Sequence, residues 1–148
     1  MSKEFLTPKK IITGKGAIED SIKYLAKMGE KPLIVTGRIV SELDAFKMLI
    51  SKLSENGLDC VIFKDITGEP TDVMIEEGLK VYRENKCDFL IGMGGGSPLD
   101  AIKAIAVTDV CGGKLSDYMG KEIAENSRQW RRFRQPPEQA RRQQNLRL

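Results

Sequence analysis

Residues 92–98 are the part of the sequence best suited to bind an anion, because they contain three consecutive glycines (GMGGGSP). Glycine has no Cβ, so its backbone can adopt positive φ and a ligand can approach its amides closely. Ser97 is predicted as a helix N-cap, with Pro98 at the first helical position and Asp100 completing a capping box. Amides exposed at a helix N-terminus favour a phosphate or pyrophosphate. Alternatively, the glycines only allow a buried strand to turn tightly into its helix, although two glycines would be enough for that turn.

Several other function classes fit the sequence less well. The loop departs from the dinucleotide fingerprint G-x-G-x-x-G at Ser97, and none of the Gly-Lys pairs is followed by the Ser or Thr of a P-loop. The 148 residues contain no histidine, which excludes from them a histidine base, a Ser-His or Cys-His pair and a histidine-ligated metal. The three cysteines lack paired spacing, so we expect reduced, mostly buried thiols rather than a disulfide framework or a zinc ribbon. No apolar run suits a membrane span and no secretory signal opens the sequence, so we expect a cytoplasmic protein without a membrane partner.

Three short apolar runs predict the strands of a parallel sheet. They lie at residues 33–35, 60–63 and 89–91 and do not alternate with polar residues, as expected of strands covered on both faces. Apolar residues recur between them at helical spacing, which predicts an α/β, Rossmann-like fold with helices flanking the sheet. Because ligands bind beyond the carboxyl ends of parallel strands, residues 36–38 (TGR) join the glycine loop as candidates. The apolar helix faces consist of Ile18, Ile22 and Leu25, of Ile39, Leu43, Phe46, Ile50 and Leu53, and of Ile75, Gly78, Leu79 and Tyr82.

Boundary signals complete the predicted elements. Glycine past a helix end and a hydroxyl residue before a helix start are common stop and start signals. The predicted features are a stop of the second helix at Asn56-Gly57, a capped start of the third at Pro70-Thr71, a last helix over residues 98–107, a break at 111–113, a short amphipathic turn at 115–119, and an edge strand or hairpin over 5–12.

The sequence changes character after Ile123. Residues 1–123 hold 17 basic and 19 acidic side chains, whereas residues 124–148 hold seven Arg, no Lys and two acids, so the net charge of +3 comes from the second segment. We therefore divide the chain into an α/β domain over 1–123 and an Arg/Gln-rich segment over 124–148, predicted to be disordered and of frameshifted or foreign origin. Its arginines, with Trp130 and Phe133, leave open a second hypothesis: an inert α/β scaffold whose basic tail binds RNA or another polyanion.

Residues 91–103 (IGMGGGSPLDAIK) resemble the GGGS-x-x-D-x-x-K segment of the iron-containing, group III alcohol dehydrogenases. Residues 11–17 (IITGKGA), 69–71 (EPT) and 117–120 (DYMG) stand in the order that this family uses, so the resemblance covers most of the chain before the basic segment. Glycerol dehydrogenases tend to carry Lys in place of Ser97, and dehydroquinate synthases depart further after the glycines, so both resemble the chain less.

The resemblance implies the N-terminal, dinucleotide-binding part of an enzyme that transfers hydride between a nicotinamide cofactor and a small alcohol or aldehyde. The three glycines and Ser97 would form the pyrophosphate loop, and Asp100 and Lys103 would support it from the following helix. The loop after the first strand would meet the adenosine ribose, where Arg38 favours NADP over NAD because a guanidinium suits a 2′-phosphate. The implied cofactor-binding residues are Gly37, Arg38, Gly94, Gly95, Gly96, Ser97, Asp100 and Lys103.

The metal site that the resemblance implies finds no ligands in this sequence. The family holds iron or zinc with one Asp and three His from a second, helical domain, and the 148 residues contain no histidine. We therefore assign no catalytic or metal-binding residue and expect a truncated chain that binds the dinucleotide without turnover. The resemblance is also compatible with a homo-oligomer.

Overall fold

The computed structural model describes residues 10–113 and Asp117. Of the predicted N-terminal strand, residues 10–12 have no regular structure and residues 5–9 lie outside the described part of the chain. The predicted turn at 115–119, Asp117 apart, and the whole 124–148 segment also lie outside it. The division of the chain after Ile123 and the RNA-binding hypothesis therefore stay predictions.

The described residues form an α/β fold with a parallel sheet and flanking helices, which confirms the predicted class. The sheet has three strands in the order β2-β1-β3, so β1 lies between the other two. All five residues of β1 are buried. The elements are α1 Ala17–Leu25, β1 Pro32–Thr36, α2 Arg38–Ser41, α3 Asp44–Glu55, β2 Val61–Phe63, α4 Asp72–Glu84, β3 Phe89–Met93 and α5 Gly96–Cys111.

The alternation of β1 side chains divides the core between the two faces of the sheet. Leu33 and Val35 pack with residues of α4 and α5, including Ile75 and Ile105. Ile34 points to the other face and packs with residues of α1 and α3. Helices therefore cover both faces of the sheet, with α4 and α5 together on one side and α1 and α3 on the other.

The strand β2 is less enclosed than its apolar sequence predicts. Within the described residues it pairs only with β1, through the register Leu33↔Val61, and so lies at an edge of the sheet. Ile62 is 43% exposed as a result. The expectation that this run is covered on both faces is wrong for β2, because coverage requires neighbours that a run of apolar residues does not specify.

The predicted second helix is divided into α2 and α3. Leu43 caps α3 in an extended conformation (φ −71°, ψ 146°), which breaks the helical periodicity on which the longer helix was predicted. Ile39 is consequently 84% exposed and Leu43 50% exposed, rather than facing the sheet. Two boundary signals are confirmed: Gly57 adopts φ +82° after α3, and the Thr71 hydroxyl accepts a hydrogen bond from the Met74 amide at 3.4 Å. The last helix, predicted over residues 98–107, is longer at both ends and forms α5.

Candidate functional site

The carboxyl ends of β1 and β3 form the crevice in which an open parallel sheet binds its ligands. The two strands are neighbours, and their last paired residues are Thr36 and Met93. The helix that packs after β1 is α3, on one face of the sheet, and the helix that follows β3 is α5, on the opposite face. Two adjacent strands whose helices leave to opposite faces create a gap between the loops, which is the usual ligand position in this type of fold.

The three glycines play different parts in the loop after β3. Gly94 has φ +139°, where L side chains are strained, and a Cβ there would lie 3.0 Å from Pro98 Cγ. A Cβ on Gly95 or Gly96 would meet nothing within 4 Å. The turn itself therefore requires glycine at 94, whereas the two following glycines leave open an exposed space that side chains would partly fill.

The start of α5 differs from the predicted capping box. The N-cap residue is Gly95, no side chain caps the helix, and Ser97 and Pro98 lie at its second and third positions. Asp100 instead accepts a hydrogen bond from Lys103 Nζ at 2.9 Å, in an exposed pair along the helix. The prediction failed because the chain enters the helix directly after the strand, at Gly96, before Ser97 can act as the cap.

This helix start supplies amide donors beside the open space. The first amides of a helix have no partner within the helix, and the aligned peptide dipoles place partial positive charge there. Since α5 has no side-chain cap, the amides of Gly96 and Ser97 at its first two positions are available to an anionic ligand, whereas Pro98 at the third has no N–H. Ser97 is half-buried beside them. The geometry of this helix start suits a phosphate or pyrophosphate.

A buried hydroxyl joins the two loops. Thr36 is fully buried, and its Oγ1 donates a hydrogen bond to the Met93 carbonyl oxygen at 2.8 Å, directly before Gly94. Thr36 belongs to the candidate loop at residues 36–38, but the sequence alone assigned it no role among the cofactor-binding residues. Its signal was a single hydroxyl residue at the end of an otherwise apolar strand, next to Gly37.

The loop after β1 contacts the loop after β2. Gly37 forms an isolated antiparallel bridge with Asp65, and a Cβ on Gly37 would lie 2.9 Å from the Ile66 carbonyl oxygen. The Arg38 guanidinium donates to Asp65 Oδ1 from Nη2 at 2.7 Å and from Nε at 3.1 Å. Arg38 is therefore not an unpaired cation, and Asp65 is a second site residue that the sequence analysis did not identify.

The structure thus separates the predicted cofactor residues into groups. Gly37 and Arg38 lie at the end of β1, and Gly94 to Ser97 lie at the end of β3, on either side of the crevice. Asp100 and Lys103 lie further along α5 and are exposed, with side-chain exposures of 65% and 71%. Their pairing on the surface accounts for them without a ligand, so their part in the site stays a prediction.

Burial makes two of the three cysteines, Cys60 and Cys87, weak nucleophiles. Cys60 and Cys87 form no disulfide; Cys87 is buried, and Cys60 and Cys111 are half-buried. Burial raises the pKa of the Cys87 thiol, and burial together with the nearby Asp59 carboxylate raises the pKa of the Cys60 thiol. A raised pKa keeps a thiol protonated and unreactive at neutral pH.

The described residues do not fit the metal that the resemblance implies. Across residues 10–113 and Asp117, no group of three or more His, Cys, Asp or Glu side chains is arranged to hold a metal ion. We therefore derive no chemical step from iron or zinc in this part of the chain. None of the helices described here combines the length and apolar character that a bilayer crossing requires.

Comparison with known proteins places this geometry in a family. The family model for iron-containing alcohol dehydrogenase matches residues 8–137. The NAD-dependent methanol dehydrogenase of Bacillus methanolicus is 33% identical over 126 residues, covering 84% of this chain and 33% of that protein. The 1,3-propanediol dehydrogenase of Citrobacter freundii is 32% identical over 128 residues, covering 83% of this chain and 33% of its own length.

A solved structure agrees with these relatives. The crystal structure of a 1,3-propanediol oxidoreductase superposes with a TM-score of 0.78 at 30% identity, over 81% of this chain and 32% of that one. The chain thus spans about a third of the length of the relatives that it matches. Because the family model covers most of the 148 residues, and fold and glycine loop agree with it, the chain belongs to the iron-containing alcohol dehydrogenase family.

Proposed function

We propose that this chain binds the pyrophosphate of a nicotinamide dinucleotide, NAD or NADP, in the crevice between β1 and β3. The observation on which the proposal depends is the open space above Gly95 and Gly96, where a Cβ would touch nothing. It lies at the uncapped N-terminus of α5, so vacant volume and amide donors coincide. Membership of a family that includes an NAD-dependent methanol dehydrogenase supports the same ligand.

Each residue of the crevice has a distinct part in this proposal. Gly94 turns the chain, the amides that follow it donate to the pyrophosphate oxygens, and the Ser97 hydroxyl adds a donor beside them. Gly37 lets the β1 loop lie close to the β2 loop. In this proposal, Arg38 faces the adenosine ribose. The guanidinium there favours a 2′-phosphate and thus NADP.

The bound dinucleotide would supply the hydride acceptor or donor for a small alcohol or its aldehyde, as the family name implies. This chain's own residues bind and orient its phosphates and adenosine. The 148 residues contain no histidine for the iron site that the resemblance implies, so we propose that the chain by itself binds the cofactor without turning over an alcohol.

Replacing Gly95 with valine tests the proposal. Gly95 has φ −80°, and a Cβ there has no neighbour within 4 Å, so the variant should fold as well as the wild type. The branched side chain would occupy the space of the pyrophosphate and weaken NAD⁺ and NADP⁺ alike by at least about tenfold, or about 1.4 kcal/mol. Isothermal titration calorimetry measures both affinities, and thermal unfolding without ligand checks the fold.

Ser54→Val is the matched control. Ser54 is exposed near the C-terminus of α3, which lies toward the amino end of β2 and away from the crevice, so this valine should leave both affinities unchanged. The absence of saturable binding of either dinucleotide to the wild type would remove the proposed function. Equal affinities for wild type and Gly95→Val would show that the dinucleotide binds elsewhere.

A further inference from the structure

Asp65 is fixed beside Arg38 by the backbone. In addition to the bridge between Gly37 and Asp65, the Ile66 amide donates to the Thr36 carbonyl oxygen at 3.4 Å. These contacts join the loop after β2 to the loop after β1. The carboxylate is thereby presented to the guanidinium at the start of α2, and the pair does not depend on side-chain contact alone.

The position of Asp65 in the sheet places it on the adenosine side of the crevice. Neighbouring strands are spaced by about 4.8 Å, so the end of β2 lies about 10 Å from the end of β3, with β1 between them. In the proposed binding mode, a dinucleotide whose pyrophosphate lies at the glycine loop after β3 extends its adenosine ribose across β1 toward β2. Arg38 and Asp65 are the charged pair at that end.

The chemistry of the pair has opposite consequences for the two cofactors. A carboxylate can accept a hydrogen bond from a ribose 2′-hydroxyl and repels a 2′-phosphate, whereas a guanidinium binds the phosphate. Both hydrogen bonds from Arg38 to Asp65 end on Oδ1, so neither of them uses Oδ2. The side chains are 70% and 47% exposed, so both remain accessible to a ligand.

We propose that Asp65 determines the selectivity between NAD and NADP by holding the Arg38 guanidinium, an inference that rests on the proposed dinucleotide site. With NAD, Oδ2 accepts the 2′-hydroxyl while Arg38 keeps its bonds to Oδ1. With NADP, Arg38 divides its donors between Asp65 and the 2′-phosphate, and the carboxylate repels that phosphate. Asp65 thus opposes the preference for NADP that Arg38 alone would produce.

The test compares Asp65→Asn with the wild type in titrations of the full 148-residue chain with NAD⁺ and NADP⁺. Removing the negative charge should raise the affinity for NADP⁺ relative to NAD⁺ by about tenfold, because a charge next to the doubly charged phosphate is lost. Arg38→Gln should change the ratio about tenfold in the opposite direction. Asp65→Ser is a second variant with the same expectation as Asp65→Asn.

Asp109→Asn is the matched control. Asp109 Oδ1 accepts a hydrogen bond from Arg83 Nε at 2.9 Å, in a surface pair between α4 and α5. Replacing this carboxylate with an amide changes the net charge by the same amount as Asp65→Asn. It should leave the ratio of the NADP⁺ to NAD⁺ affinity unchanged. If both dinucleotides bind and the ratio of the NADP⁺ to NAD⁺ affinity is the same in Asp65→Asn and the wild type, the proposed role of Asp65 is wrong, whereas the proposed dinucleotide site stands. If neither dinucleotide binds any variant, the proposed function is wrong and this inference falls with it.

Discussion

Thr36→Val tests whether the buried hydroxyl between the two strand ends shapes the glycine loop. Valine keeps the volume of the side chain but removes the 2.8 Å hydrogen bond from Oγ1 to the Met93 carbonyl oxygen. A typical internal hydrogen bond contributes about 0.5–1.5 kcal/mol, and a buried partner left unpaired costs about 1–3 kcal/mol. Because Thr36 is fully buried, we expect the free energy of unfolding to fall by about 1.5 kcal/mol. Because the unfolding entropy is about 2.1 cal/mol/K per residue, this loss in a chain of 148 residues lowers Tm by about 5 °C.

The same variant should also weaken dinucleotide binding. Met93 directly precedes Gly94, so loss of the bond to its carbonyl frees the start of the loop, and we expect about three- to tenfold weaker binding by calorimetry. Urea unfolding followed by circular dichroism measures the stability. Thr36→Ser keeps the hydroxyl and should bind the dinucleotide as the wild type does, although the lost methyl group lowers its stability.

Thr108→Val provides the comparison that isolates this hydrogen bond. Thr108 is equally buried, and its Oγ1 donates at 2.9 Å to the Ala104 carbonyl oxygen, which already lies within the hydrogen-bonded turn of α5. We expect Thr108→Val to cost less than about 0.5 kcal/mol, because the Ala104 carbonyl lies inside the backbone hydrogen-bonding pattern of α5. If Thr36→Val and Thr108→Val lower the free energy of unfolding by the same amount, the energy assigned to the Thr36 hydrogen bond is wrong. A destabilised Thr36→Val with unchanged dinucleotide affinity would refute its link to the loop.

Two further predictions concern the core beneath the site. Gly78→Ala places a Cβ 2.7 Å from Cδ1 of the fully buried Ile105, so we expect a net loss of about 1 kcal/mol in urea unfolding despite the better helix propensity of alanine. Adding Ile105→Val removes that methyl group and should recover part of the loss, whereas strictly additive effects would contradict the clash. Burial, with the nearby Asp109 and Asp88 carboxylates, raises the pKa of Tyr82 from 10.0 to about 12. The folded state therefore favours the protonated phenol, and the free energy of unfolding that this contributes is present below pH 10 and is lost as the pH rises toward 12. The decline should reach about 2–3 kcal/mol and be absent in Tyr82→Phe; parallel pH profiles would show that Tyr82 is not its cause.

Much of the fold follows from local patterns that the sequence contains. The three apolar runs coincide with β1, β2 and β3 to within two residues at each end, because a buried strand needs a continuous apolar run. The four residues predicted to face the core from the third helix are the ones that α4 buries, since helical periodicity selects one face. The consecutive glycines likewise indicated the loop that the structure places at the crevice.

The errors arise where distant parts of the chain meet. The capping box failed because pairing of β3 with β1 continues to Met93, and the chain then enters α5 at Gly96. The helix predicted from Ile39 onward failed because the extended conformation at Leu43 divides it. Neither boundary is encoded in the spacing of apolar residues, since each depends on how the adjoining strand and loops pack.

The sequence by itself determined the α/β class, the glycine loop, the family resemblance and the lack of histidine in these 148 residues, because these depend on residue types and short spacings. Only the tertiary structure decided which residues share the crevice. Asp65 lies 27 positions from Arg38 and meets it because β1 pairs with β2, and Thr36 reaches Met93 because β1 also pairs with β3. Strand order and register bring these side chains together, and the packing of the whole sheet determines both the strand order and the register.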